Sequence, residues 1–200
     1  MLQNVSEKKG CWLTMSDSRV ESTFNKSAHD DLAHTEFAEG AFIRTWGTVE
    51  MRHCVLLIPY APAFGLPPSK SSATSNGKAK KFIAEDNVVV CAGYFLATFN
   101  PEWLTKTVID NNQLTIDRLN VDWRWKSTVW RTAACVLAAY DTRTGESGDG
   151  LASLAGVTLT DNTVVSADSN YPATLTRGVV EAGYDRLSGN TIDGTEYPGE

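Results

Sequence analysis

The most unusual chemistry in the chain is aromatic and basic. Trp123-Arg124-Trp125-Lys126 is followed closely by Trp130-Arg131. On an extended strand Trp123 and Trp125 share one face, while Arg124 and Lys126 share the other. Exposed, such rings stack on sugars or bases beside the cations. Buried, they are core or subunit interface, with the basic groups on the solvent side. These six residues are the binding or interface candidates.

Other clusters carry less. His29, Asp30, Asp31, His34 and Glu36 form the densest set of metal-type ligands. Useful histidine pairs on a helix sit four apart, whereas these two are five apart and face different ways. His53 falls on the apolar side of an alternating stretch, and no nucleophile is paired with it. There is no G-x-S-x-G elbow. Asp117 and Asp122 flank a break in alternation, but nothing in the sequence sets the separation that glycoside chemistry needs. The Gly145–Gly150 stretch lacks both the Walker A ending and the dinucleotide spacing. Asp141, Glu146 and Asp149 lack the EF-hand spacing for calcium. The chain is therefore read as non-enzymatic, with no catalytic residue, metal or cofactor assigned.

Cys11, Cys54, Cys91 and Cys135 contain no CxxC pair, which removes zinc-knuckle and thioredoxin readings. Three of the four sit in apolar runs, as buried free thiols of a reducing compartment would; long-range disulfides are the alternative. The first residues lack the apolar core of a secretory signal, so synthesis inside the cell without a signal peptide is expected. The longest apolar run, from Val88 to Ala97, is too short to span a bilayer, so no membrane insertion is expected.

The elements that position these groups read as strands. Two hundred residues, 42% hydrophobic and 21% charged, are ordinary globular values. The net charge of −6 is uneven: ten of the 24 acids fall after residue 140, against Arg143, Arg177 and Arg186. Residues 41–60 alternate from Thr48 onward, with Val49, Met51, His53, Val55 and Leu57 on one side. Four prolines in residues 59–68 then impose a long loop, which continues through Lys78, Lys80 and Lys81. Val88 to Phe99 reads as one strand buried on both faces. Asn100-Pro101-Glu102 predicts a short helix to about Ile109. Residues 113–125 alternate with a slip near Arg118, the signature of a bulge. Ser27 is a plausible helix cap, and no tandem repeat is evident.

These features predict a mainly β chain. The expected form is a single antiparallel sandwich or jelly-roll-like barrel with one or two short helices and extended terminal arms. The division is a polar arm over 1–40, a β core over 41–140 and an acidic, Gly-rich segment over 141–200. That segment packs on the core or on neighbouring subunits.

Such a chain suits a structural subunit of a multi-chain assembly. The most concrete form is a viral or phage particle component in an outer-shell, decoration or tail position. Its partners would be copies of itself and other assembly proteins. Direct nucleic-acid binding is not expected, because the basic patch is small and the chain acidic. The alternative is a carbohydrate- or ligand-binding β-sandwich module using exposed tryptophans.

Overall fold

The computed structural model describes residues 2–4, 12–21, 43–45, 48–59, 62–66, 80–98, 104–118, 134–139, 154, 156–177 and 184–197. Nineteen strands run through them, and no helix occurs among the described residues. In chain order they are β1 (Leu2–Asn4), β2 (Trp12–Ser16), β3 (Arg19–Glu21), β4 (Ile43–Thr45), β5 (Thr48–Arg52), β6 (Val55–Leu57) and β7 (Phe64–Leu66). Next come β8 (Lys80–Glu85), β9 (Val88–Ala92), β10 (Tyr94–Thr98), β11 (Leu104–Asp110), β12 (Gln113–Asp117) and β13 (Cys135–Ala139). The last are β14 (Val157–Thr160), β15 (Thr163–Ser166), β16 (Thr174–Arg177), β17 (Tyr184–Ser188), β18 (Thr191–Ile192) and β19 (Thr195–Glu196).

Each strand pairs with the strand three places along the chain. Sheet A holds β1, β4, β7, β10, β13 and β16; sheet B holds β2, β5, β8, β11, β14 and β17; sheet C holds β3, β6, β9, β12, β15 and β18. All these pairings are parallel, and β19 alone folds back antiparallel on β18. A chain that visits three sheets in rotation, always advancing one strand, winds a coil of six turns. This is a parallel β-helix, in which each turn contacts only its neighbours. The expected antiparallel sandwich or jelly roll is thus overturned. Alternation marks a half-buried strand, but it is blind to the direction of the partner.

One short sequence unit closes every turn between sheets B and C. It is a residue in the left-handed region followed, from the second turn onward, by a buried one: Asp17-Ser18, His53-Cys54, Asp86-Asn87, Asn111-Asn112, Asp161-Asn162 and Gly189-Asn190. The first residue of each pair has φ between 47° and 69°, which Asp, Asn, His and Gly tolerate best. The four asparagines that follow, at 87, 112, 162 and 190, are at most 1% exposed.

Stacked one turn apart, these asparagines form a ladder. Asn87 Nδ2 donates to Asn112 Oδ1 at 2.8 Å, Asn112 Nδ2 to Asn162 Oδ1 at 2.9 Å, and Asn162 Nδ2 to Asn190 Oδ1 at 2.9 Å. Each Oδ1 also accepts the backbone N–H of the ladder residue one turn earlier, beginning with Cys54 N–H onto Asn87. Each Nδ2 also donates to a carbonyl of the preceding turn, at Met51, Ala84, Ile109 and Leu159. Every amide is satisfied, which makes its burial affordable.

This is the tandem repeat that was not evident in the sequence. Successive ladder residues lie 33, 25, 50 and 28 residues apart. Insertions at the other corners break the period.

The core is the inside of the coil. Inward residues such as Val49, Met51, Leu56, Val89, Ile109, Leu114, Leu159 and Val164 are 0–1% exposed. Phe64, Phe82 and Phe95 pack edge to face with centroids 5.1–5.8 Å apart. In sheet A, β10 and β13 are buried on both faces, and Tyr94, Ala97, Cys135 and Ala138 form a second apolar cluster.

Several local expectations change with the fold. The apolar run from Val88 is two strands, broken at Gly93 with φ 81°. The stretch over 41–60 is also several strands, bent at His53. The helix expected to end near Ile109 is replaced by β11, whose Thr107 and Ile109 face inward; its β-branched residues favour an extended chain. The terminal segments are not arms over their described residues. β1 to β3 open the three sheets, and β14 to β18 continue them beyond residue 140. No helix among the described residues is long and apolar enough to cross a membrane.

Candidate functional site

The three corners of the coil differ in length. The corner between sheets B and C is always two residues, as the ladder demands. The corner from sheet C to sheet A holds residues 22–42, 58–63, Gly93 alone, 118–134 and 167–173. The corner from A to B holds 5–11, 46–47, 67–79, 99–103, 140–156 and 178–183. In a solenoid, inserts of variable length are the parts free to acquire contacts, because the stacked strands are already committed.

Trp123, Arg124, Trp125, Lys126, Trp130 and Arg131 all lie in the insert between β12 and β13 and outside the described residues. The cluster from His29 to Glu36, the acids at 141, 146 and 149, and Asp122 also lie outside them. Their tethers are nevertheless fixed. The tryptophan insert leaves from Asp117 and returns at Cys135, so it is anchored at the C-to-A corner one turn from residues 167–173.

That neighbouring turn is described. The Arg118 guanidinium lies 3.9 Å from the centroid of the Tyr171 ring, and its Nε is 3.9 Å from Asp168 Oδ2. Asp168 Oδ1 accepts from the Asn170 backbone N–H at 2.9 Å, which closes the turn. Ser166 ties this corner to the last turn. Its hydroxyl donates to Asp193 Oδ2 at 2.6 Å and its N–H donates to Asp193 Oδ1 at 2.7 Å. The Ser166 oxygen in turn accepts the Ala173 N–H at 2.7 Å. These two bonds, the hydroxyl first, hold the Asp193 carboxyl below the usual carboxylate range.

The outer face of sheet C is the other distinctive surface. Its strands stack without a register shift, whereas sheet B shifts twice. Outward side chains therefore form straight columns. One column runs Arg19, Val55, Val88, Gln113, Thr163 and Thr191; the next runs Glu21, Leu57, Val90, Thr115 and Val165, with Asp193 beyond it. The exposed large hydrophobics among the described residues are Val88 at 40%, Val165 at 46% and Tyr171 at 45%. Two stand on this face, and the third lies in the turn that follows β15.

His53 is not on the apolar side of a strand. It occupies the exposed B-to-C corner, with Nδ1 3.7 Å from Asp17 Oδ1 and Nε2 3.5 Å from Asp86 Oδ2. The bend there inverts the alternation on which its placement rested. Cys54, Cys91 and Cys135 are buried free thiols. Burial pushes the Cys135 thiol up to about 12 and raises Cys91 as well, with Cys135 nearby adding to the effect. Among the described residues, no group of three or more His, Cys, Asp or Glu is placed to hold a metal ion.

Sequence reasoning missed the ladder asparagines. Their signal was present as Asp-Asn, Asn-Asn, Asp-Asn and Gly-Asn pairs, each directly before an alternating run. Comparisons with protein-family models, with curated proteins and with solved structures find no match.

Proposed function

We propose that this chain is a structural subunit of a multi-chain assembly: a coil that packs through the outer face of sheet C and carries inserts at two corners. One observation carries the reading. The interior of the coil is closed, yet exposed apolar side chains gather on and beside sheet C. Val55, Leu57, Val88 and Val90 adjoin there in two successive turns, and adjoining outward apolar residues of this kind mark contact surfaces. The most concrete form is a viral or phage particle component in an outer-shell, decoration or tail position. The acidic final turns suit contact with protein better than with packaged nucleic acid. Light scattering and sedimentation over a concentration series test the reading. Mass should rise above the monomer, and the thermal midpoint should rise with concentration. A chain that stays monomeric up to its solubility limit, with a fixed midpoint, refutes it.

A second reading, carbohydrate or ligand binding, is favoured by the Arg118–Tyr171 stack at the corner to which the tryptophan insert is tethered. Intrinsic fluorescence during glycan titration tests it. Unchanged affinity in Tyr171→Ala would count against this corner as the site.

A further inference from the structure

We infer that the outer face of sheet C pairs with the same face of a second copy, the two coils lying parallel about a two-fold axis along the coil direction. The inference rests on the assembly reading and specifies its partner and register.

The argument is the chemistry of the two columns. A two-fold axis along the coil lays the first column of one copy over the second column of the other, turn for turn. Arg19 then meets Glu21, Val55 meets Leu57, Val88 meets Val90 and Gln113 meets Thr115. The first four turns match in kind: opposite charge, apolar with apolar, amide with hydroxyl; in the fifth, Thr163 meets Val165. The axis perpendicular to this, along the strands, would instead lay Val88 over Gln113, Val90 over Thr115 and the Glu21 end over the Asp193 end. That arrangement opposes apolar to polar at Val55, Val88 and Val90, against the single Thr163–Val165 pair of the parallel one, and sets Glu21 against Asp193, so the parallel arrangement is the more complementary.

Register makes the match possible. Straight columns need strands stacked without shifts, and sheet C has none. Arg19 and Glu21 already approach within one copy at 2.9 Å, with 59% and 54% of their side chains exposed. Both therefore have surface left for a partner. The face is narrow. Six strands spaced about 4.8 Å apart span about 24 Å along the coil, and each strand offers two outward residues. A few hundred Å² falls short of the roughly 800 Å² per partner of a standard interface, so association is expected in the micromolar range.

The experiment is sedimentation equilibrium on the full chain and four variants, with circular dichroism confirming the fold. Val88→Arg places a charge in the apolar centre at a position already exposed, and should weaken self-association at least tenfold. Arg19→Glu and Glu21→Arg should each weaken it several-fold, and the double exchange R19E/E21R should restore it. Because Arg19 and Glu21 also pair within one copy, the register is read from a mixture of Arg19→Glu with Glu21→Arg: only the parallel register lays the two acids of one copy on the two arginines of the other, so the mixture should associate more tightly than either variant alone, and a mixture no tighter overturns that register. If the wild-type chain associates and Val88→Arg associates equally well, the face is wrong while the assembly reading stands. If Val88→Arg weakens association but the double exchange does not restore it, the parallel register is overturned. A wild-type chain that is monomeric throughout overturns both.

Discussion

Asn162→Ala should be among the most damaging single substitutions in this chain. Asn162 is 0% exposed. Its Oδ1 accepts from the Asn112 backbone N–H at 3.1 Å and from Asn112 Nδ2 at 2.9 Å. Its Nδ2 donates to the Ile109 carbonyl at 2.8 Å and to Asn190 Oδ1 at 2.9 Å. Truncation removes four hydrogen bonds at about 1 kcal/mol net each, or about 4 kcal/mol. The partners left behind are themselves buried and gain no water, so this value is nearer a floor than a ceiling. With a urea slope of about 2 kcal/mol/M, the midpoint should fall by about 2 M. The matched control is Asn111→Gly, one turn earlier. Asn111 is exposed with φ 50° and donates one bond, to Asp86 Oδ1. Glycine relieves its backbone, so the midpoint should scarcely move. Urea unfolding followed by far-UV circular dichroism reads both. A loss below about 1 kcal/mol for Asn162→Ala would show that the ladder does not hold the turns together.

Four further outcomes follow from the same fold. Gly156→Ala should destabilise by about 2 kcal/mol, since φ is +68° and a Cβ would sit 2.7 Å from the Thr105 carbonyl oxygen; thermal unfolding measures it. Removing residues 184–200 should lower stability and not merely assembly, because Leu187, Ile192 and the Asn190 rung would leave with them; the same scan reads this. The lowered Asp193 carboxyl adds stability that is present above the ordinary carboxylate range and lost as pH falls through its folded value. Ser166→Ala should therefore flatten the acid limb of the stability profile. Cys91 and Cys135 should resist thiol reagents at mildly alkaline pH and label only once denaturant opens the coil, as mass spectrometry of the labelled peptides would show.

Much of the local structure was legible. The inward set Val49, Met51, Leu114 and Ile116 follows from alternation alone. What misled was continuity. The apolar run through Gly93 looks like one strand because both sides of the bend are buried. His53 looks inward because the left-handed corner that turns it outward does not disturb the alternation of residue types. The capping pattern at Asn100 suggested a helix, yet tertiary pairing with β8 and β14 sets Leu104–Asp110 as a strand. As for the candidate site, the six residues from Trp123 to Arg131 remain outside the described structure. The outward face of sheet C was invisible, because Val88 and Val90 read as half of a buried strand.

The sequence by itself determined which residues alternate and that Cys54, Cys91 and Cys135 are buried. Those properties depend on neighbours two to four residues away. Only the tertiary structure decided that the strands run parallel, that sheet C stacks without a register shift, and that four isolated asparagines are one ladder. Those facts rest on hydrogen bonds between residues 25 to 50 positions apart. No local preference encodes a partner at that distance when inserts of unequal length stand between the turns. The uneven charge has the same lesson: Asp161, Asp185, Asp193 and Glu196 ride on the outside of turns whose inward residues complete the core.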